Sequence, residues 1–170
     1  MAEPLPFDPY AILAALERRR VNYVVIGAFA RVVQGAEEIT HGLDVVPAIR
    51  AENLRRLALA LDDLGASRVD GERVVLDEAT IHGEAPLELS SPAGELKVVP
   101  EPAGTRGGYD DLRRAATREP IGKGLRPSVA STADLARMLA ALGRETDVPK
   151  LIALRRLQAL ERDLGPELGL

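Results

Sequence analysis

The chain contains no cysteine and no tryptophan, and only 3% of its 170 residues are aromatic. Without cysteine it has no disulfide, no thiolate metal site and no cysteine nucleophile. With so few rings, the core has to be built from Leu, Val, Ile and Ala. There are two histidines, His41 and His82, whose separation is not a metal-ligand spacing. No apolar run approaches the ~20 residues of a membrane span. The opening MAEPLPFDPY has neither a basic n-region nor an apolar h-region, so it does not read as a secretory signal, and the expected location is the cytoplasm. A strong charge of one sign is also lacking, with a net charge of -4 and a pI near 5.3. That argues against a general nucleic-acid surface and leaves room for a local basic patch.

What is present is a globular composition, 46% hydrophobic and 28% charged. The length favours one domain over 1–170, with a core from about 8 to 130 and C-terminal helices over 131–164. Arg far outnumbers Lys, and Ala and Leu are abundant, the usage of a GC-rich bacterial genome.

DPYAILAALERRR reads as a helix, capped by Asp8, with Pro9 at its first position and Ile12, Leu13 and Leu16 on one face. The Arg18–Arg20 run ends it, where cations suit the helix dipole. VNYVVIG follows as a strand apolar enough to be covered on both faces, ended by Gly27. AFARVVQG is a short helix and LDVVPA a second strand. RAENLRRLALALDDLG is an amphipathic helix with Leu54, Leu57, Leu61 and Leu64 inward and Gly65 as its stop. Short strands are expected at SRVD, RVVL, PLELSS and ELKVVP. EPAGTRGG is a loop, YDDLRRAA a short helix and LRPSVAS extended. Ser131 caps a helix over STADLARMLAALG. DVPKLIALRRLQALERDLG is the last helix, with Leu151, Leu154, Leu157 and Leu160 as inward positions.

VNYVVIGAFARVVQG, the Thr40–Asp44 stretch, ENLRRLALALDDLGA, GGYDDLRRAA and the Ser131–Gly143 helix followed by Arg144-Glu145-Thr146-Asp147 resemble one family in their order and spacing. It is the nucleotidyltransferase superfamily, and within it the small bacterial branch that includes the toxin-like AbiEii proteins. The resemblance runs from Phe7 to about Leu160. It implies an α/β (α+β) fold, a nucleotidyltransferase-type mixed sheet with flanking helices and C-terminal helices. In that branch a strand ends in Gly-Gly or Gly-Ser, and a Thr-x-Asp-x-Asp strand carries two metal-binding carboxylates. A later strand gives a third.

The chemistry explains the pattern. Nucleotidyl transfer rests on positioning and on metal ions that neutralise developing charge. Magnesium takes hard oxygen ligands. Carboxylates at i and i+2 on a strand face the same way, and a neighbouring strand completes the cradle. The glycine pair lets backbone approach the triphosphate.

This chain departs from the pattern where the metal would sit. The first carboxylate position is Gly42, the second is Asp44 and the third is Lys97. The Gly pair is Gly27-Ala28, and Thr146 stands where the branch often has Lys. An Asp44–Lys97 ion pair is expected in place of a carboxylate–metal contact. The resemblance then implies a catalytically impaired member that binds nucleotide or acts as a regulatory or interaction module. No cofactor is expected on that reading. Gly27, Ala28, Thr40 and Arg144 are the nucleotide-binding candidates, and Asp44 and Lys97 are the remnant of the catalytic centre.

The alternative is an active, toxin-like enzyme moving NMP from NTP to RNA, protein or a small molecule. It needs Mg²⁺ at Asp44 and further acids from Glu37, Glu38, Glu88, Glu95 or Glu101. A protein partner, as in a toxin–antitoxin pair, is the other expectation.

Blander readings stand beside these. Asp44 can be an ordinary strand acid, Thr40 a strand start, and Arg144 a cap on the carbonyls of its helix. His41 and His82 read as solvated turn residues and Arg31 as pointing to solvent. TRGG, Lys123 and Arg126 form at most a small basic rim.

Overall fold

Asp8 opens the first helix by accepting the Ala11 amide at 3.1 Å, with Pro9 next to it at a position where a missing N–H costs nothing. The computed structural model describes residues 6–83 and 85–164. Helix α1 (Pro9–Arg18) buries Ile12, Leu13, Ala15 and Leu16. Arg20 then turns the chain in the left-handed region, at φ 56°, and β1 (Tyr23–Ile26) follows with all four residues buried. Helix α2 (Gly27–Val33) starts directly from its last residue. Strand β2 (Gly42–Pro47) returns antiparallel to β1.

Helix α3 (Ala51–Leu64) is closed by Gly65 at φ 64°, the left-handed C-terminal stop. The Arg19 guanidinium grips Asp63 through two bonds of 2.7 and 2.8 Å, tying the end of α1 to α3. Asn53 does the same from inside. Only 3% exposed, it accepts the Asn22 amide at 2.7 Å and donates to the Asn22 and Ala48 carbonyls at 2.9 Å each. One side chain thereby satisfies three backbone groups that would otherwise be buried without partners.

The remaining elements are β3 (Ser67–Arg68), β4 (Leu87–Ser91), β5 (Gly94–Val98), α4 (Tyr109–Leu112), β6 (Thr117–Arg118), β7 (Ser128–Val129), α5 (Thr132–Leu142), a 3₁₀ turn (Glu145–Asp147) and α6 (Val148–Leu164). The strands form one mixed sheet in the order β3-β4-β5-β2-β1-β7-β6. β2 runs parallel to β5, and β1 parallel to β7. Ser131 caps α5, accepting the Asp134 amide at 3.1 Å.

Alternation decides the two faces of the sheet centre. Leu43, Val45, Leu96 and Val98 are buried in the core, and the residues between them, Asp44 and Lys97, face the other way. Burying a Leu or Val side chain of this kind contributes about 1.5–3 kcal/mol each. The core is aliphatic, as the lack of rings requires. Its one aromatic pair among the described residues is the edge-to-face contact of Phe7 and Phe29, with centroids 6.1 Å apart.

Two expectations do not hold. RVVL, 73–76, is not a strand. Val74 and Leu76 pack on the core while Arg73 and Val75 are exposed, so the alternation is there without a neighbouring ladder to bond to. In α6 only Leu154 is fully buried. Leu151 and Leu157 are half-buried and Leu160 is 54% exposed. Helix α6 packs on α5, which has 11 residues against its own 17, and outlasts it.

Candidate functional site

The site begins at the junction of β1 and α2. Ile26 ends the strand, and Gly27, at φ 75°, starts the helix with no room between. The Asp44 carboxylate lies against it. A Cβ on Gly27 would stand 2.5 Å from Asp44 Oδ2, so both the backbone angle and the contact demand glycine.

Asp44 is bracketed by register. On one side it pairs with Ile26 of β1, and on the other with Lys97 of β5. Lys97 in turn pairs with Glu88 of β4, and Gly42 with Glu95. Gly42, Asp44, Glu95, Lys97 and Glu88 therefore share one face of the sheet.

The expected Asp44–Lys97 ion pair does not form. Among the described residues no cation lies within 4.0 Å of the Asp44 carboxylate. Lys97 Nζ instead sits 3.8 Å from Glu88 Oε1 on the next strand, where both side chains are half-exposed and the long lysine stem reaches water. Burial raises the Asp44 carboxyl above its ordinary pKa, and the charges of Lys97 and Arg31 pull against that rise without cancelling it.

Above this face is a cavity of about 460 Å³. Its polar floor is Asp44, Lys97, Arg31, Arg144 and the Gly27-Ala28 backbone. Its apolar wall is the face of α5 that carries Leu135, Met138, Leu139 and Leu142. Three cations and one acid thus line it beneath an apolar wall, each cation also paired with a carboxylate outside the lining: Lys97 with Glu88, Arg31 with Glu38 and Arg144 with Asp147. This suits an anionic ligand with a flat or apolar part.

Arg31 is not in solvent. It is 8% exposed and holds Glu38 through bonds of 2.6 and 3.0 Å, with Lys150 3.9 Å from the same carboxylate. Arg144 lines the cavity, and its Nε donates to buried Asp147 at 2.5 Å, so it is held by a side chain and not by helix carbonyls. Thr40 lies outside the cavity lining, before β2, and its hydroxyl donates to the Gly42 carbonyl at 2.9 Å. Glu37, Glu101, His41 and His82 are exposed. No basic rim forms from Lys123, whose ammonium sits over the Tyr10 ring at 4.5 Å. The apolar wall was not singled out from the sequence, although its spacing of three, one and three residues along α5 is a helical signal.

Gly42 offers no ligand, Lys97 offers an ammonium, and among the described residues no three His, Asp or Glu side chains gather closely enough to hold a metal.

By sequence the chain matches no family model and no curated protein. By structure it is similar to the lincosamide antibiotic adenylyltransferase LnuA bound to lincomycin. Identity is 16%, the TM-score is 0.59, and the match covers 89% of this chain and 99% of that one. The chain has a nucleotidyltransferase fold. Another similar structure is ANT(2″)-Ia in complex with adenylyl-2″-tobramycin, at 16% identity and TM-score 0.55 over 93% of this chain and 88% of that one. A third is a candidate nucleotidyltransferase from Thermotoga maritima, at 19% identity and TM-score 0.54, covering 88% and 89%. Among the described residues no helix is long and apolar enough to cross a membrane.

Proposed function

We propose that this nucleotidyltransferase-fold chain binds a nucleotide in the cavity beside Asp44 without a catalytic metal pair, and acts as a catalytically impaired binding or regulatory module. The reading includes the AbiEii-like branch, with Gly42 and Lys97 where carboxylates would hold metal. One observation carries it: Lys97 stands in direct register with Asp44, and both line a cavity whose floor also holds Arg31 and Arg144. Cations placed there take over part of the charge neutralisation that metal ions give a polyphosphate. Gly27 and Ala28 line the cavity beside Asp44, and the α5 wall accepts the base. A protein partner that reads the occupied state is the regulatory half of the proposal.

Isothermal titration of ATP in EDTA tests this. Lys97→Ala and Arg144→Ala should each weaken binding by about tenfold, the size of one lost charge-assisted hydrogen bond. Binding that is unchanged in both variants would remove the cavity from the account.

A second reading is favoured by Glu95. It pairs with Gly42, and a Cβ on Gly42 would be 3.2 Å from the Glu95 Cβ. A carboxylate on the next strand could thus serve in place of the missing one, in an active enzyme transferring NMP from NTP with Mg²⁺. Label transfer from α-³²P-NTP that is lost in Glu95→Gln would establish it.

A further inference from the structure

A second cleft, of about 450 Å³, opens at the other end of β1. Ile26 at the end of the strand lines the first cavity, whereas Val21, Asn22 and Tyr23 at its beginning line this one, and no lining residue is shared. Three guanidiniums, Arg20, Arg113 and Arg118, surround a single carboxylate, Glu17. That carboxylate is already engaged, accepting the buried Tyr23 hydroxyl at 2.7 Å.

The cations are largely unspent. Among the described residues no carboxylate lies within 4.0 Å of Arg20. Arg118 donates only its Nε, to the Arg126 carbonyl at 3.1 Å, which leaves its terminal nitrogens for the cleft. Arg113 has a loose contact with Asp110 at 3.5 Å. Tyr109 and Ser128 also line the cleft, and neither hydroxyl has a hydrogen bond among the described residues. Guanidinium donors therefore outnumber the acceptors of the cleft, which are the Asn22 amide oxygen, the hydroxyls and the second oxygen of Glu17. A phosphate presents acceptors only, and planar guanidiniums match its oxygens in pairs.

The arrangement is held by the fold. Arg118 and Ser128 are register partners in β6 and β7. Arg20 is set by the left-handed turn, with its amide donating to the Glu17 carbonyl at 3.0 Å. The volume exceeds that of a bare phosphate and leaves space for a sugar-sized remainder, which Asn22 and the two hydroxyls can bond.

We propose that this cleft is a second binding site, for a phosphorylated polar small molecule, independent of the cavity beside Asp44. It does not rest on the nucleotide reading of that cavity.

The whole chain reports on the site directly, because Tyr23 and Tyr109 are two of its three tyrosines and there is no tryptophan. Inorganic phosphate and ribose 5-phosphate are titrated separately at constant ionic strength set with chloride, followed by tyrosine fluorescence and amide shifts. Saturating shifts at Arg20–Tyr23, Arg118 and Ser128 are expected, with ribose 5-phosphate binding more tightly than phosphate. Arg118→Ala should weaken binding by about tenfold. Arg20→Asn, which keeps a residue tolerant of the left-handed angle, should do the same, and Lys97→Ala should leave affinity unchanged. Equal affinity in both arginine variants, a response that chloride reproduces, or shifts confined to the Asp44 end would overturn the site. Phosphate binding with no gain from the sugar would overturn the small-molecule ligand.

Discussion

Asp44 and Lys97 sit side by side on parallel strands β2 and β5, yet the lysine ammonium leans away to within 3.8 Å of Glu88. Among the described residues the acid therefore keeps an unpaired, half-buried carboxylate in the cavity lining. Its raised pKa reports that desolvation outweighs the attraction of Lys97 and Arg31.

A group whose folded pKa lies above its unfolded value, about 3.9 for Asp, contributes its full stability below that value. The contribution is lost as pH rises through the folded pKa. Asp44→Asn removes this dependence. The variant should match the native chain in stability near pH 3 and be more stable at pH 7, as measured by paired thermal melts. A variant that is less stable at pH 7 would mean that the carboxylate is held by the cations after all.

Gly27 should resist substitution. Gly27→Ala adds a left-handed strain of about 1–2 kcal/mol to the clash with Asp44 Oδ2 at 2.5 Å. A loss of about 3 kcal/mol in urea unfolding is expected, within the range for strained backbone sites. In an Asp44→Ala background the loss should fall toward the strain alone. Additive losses in the double variant would show that the two residues do not compete for the same space.

Asn53→Ala should cost about 3 kcal/mol, because the Asn22 amide and two carbonyls lose their partner inside the protein. Urea denaturation checks this. A change below about 0.5 kcal/mol, the range of an ordinary surface substitution, would mean water replaces the amide.

The anchoring of α6 is testable by contrast. Leu154→Ala leaves a cavity in the core and should cost about 2–5 kcal/mol. Leu160→Ala, at a position 54% exposed, should be nearly neutral by the same unfolding measurement. Equal losses would place Leu160 in an interface.

The same two leucines mark where the sequence is legible and where it is not. Helical period picks out Leu154 and Leu160 alike, but it does not say where the body beneath the helix ends. RVVL shows the corresponding limit for strands: alternation predicts a face and not a hydrogen-bonding neighbour. The order of β1, α2, β2 and α3, the caps at Asp8 and Ser131, and the stop at Gly65 were readable because each depends on local chemistry. The register that sets Lys97 beside Asp44 was reachable only through the family resemblance. Arg31 was misplaced because its partner, Glu38, lies seven residues on around a loop, a contact no helical or strand spacing encodes. The lean of Lys97 toward Glu88 depends on which side of β5 is open to water, which spacing along one strand does not contain.

The nucleotide proposed for the cavity is held by fixed cations and not through metal. Thermal shifts of the intact chain with each of the four NTPs, in EDTA and in Mg²⁺, test this most directly. A ligand at a hundredfold over its Kd stabilises by about 2.7 kcal/mol. A shift with at least one NTP is expected, present in EDTA and not enlarged by Mg²⁺. A shift that appears only with Mg²⁺ would contradict this expectation.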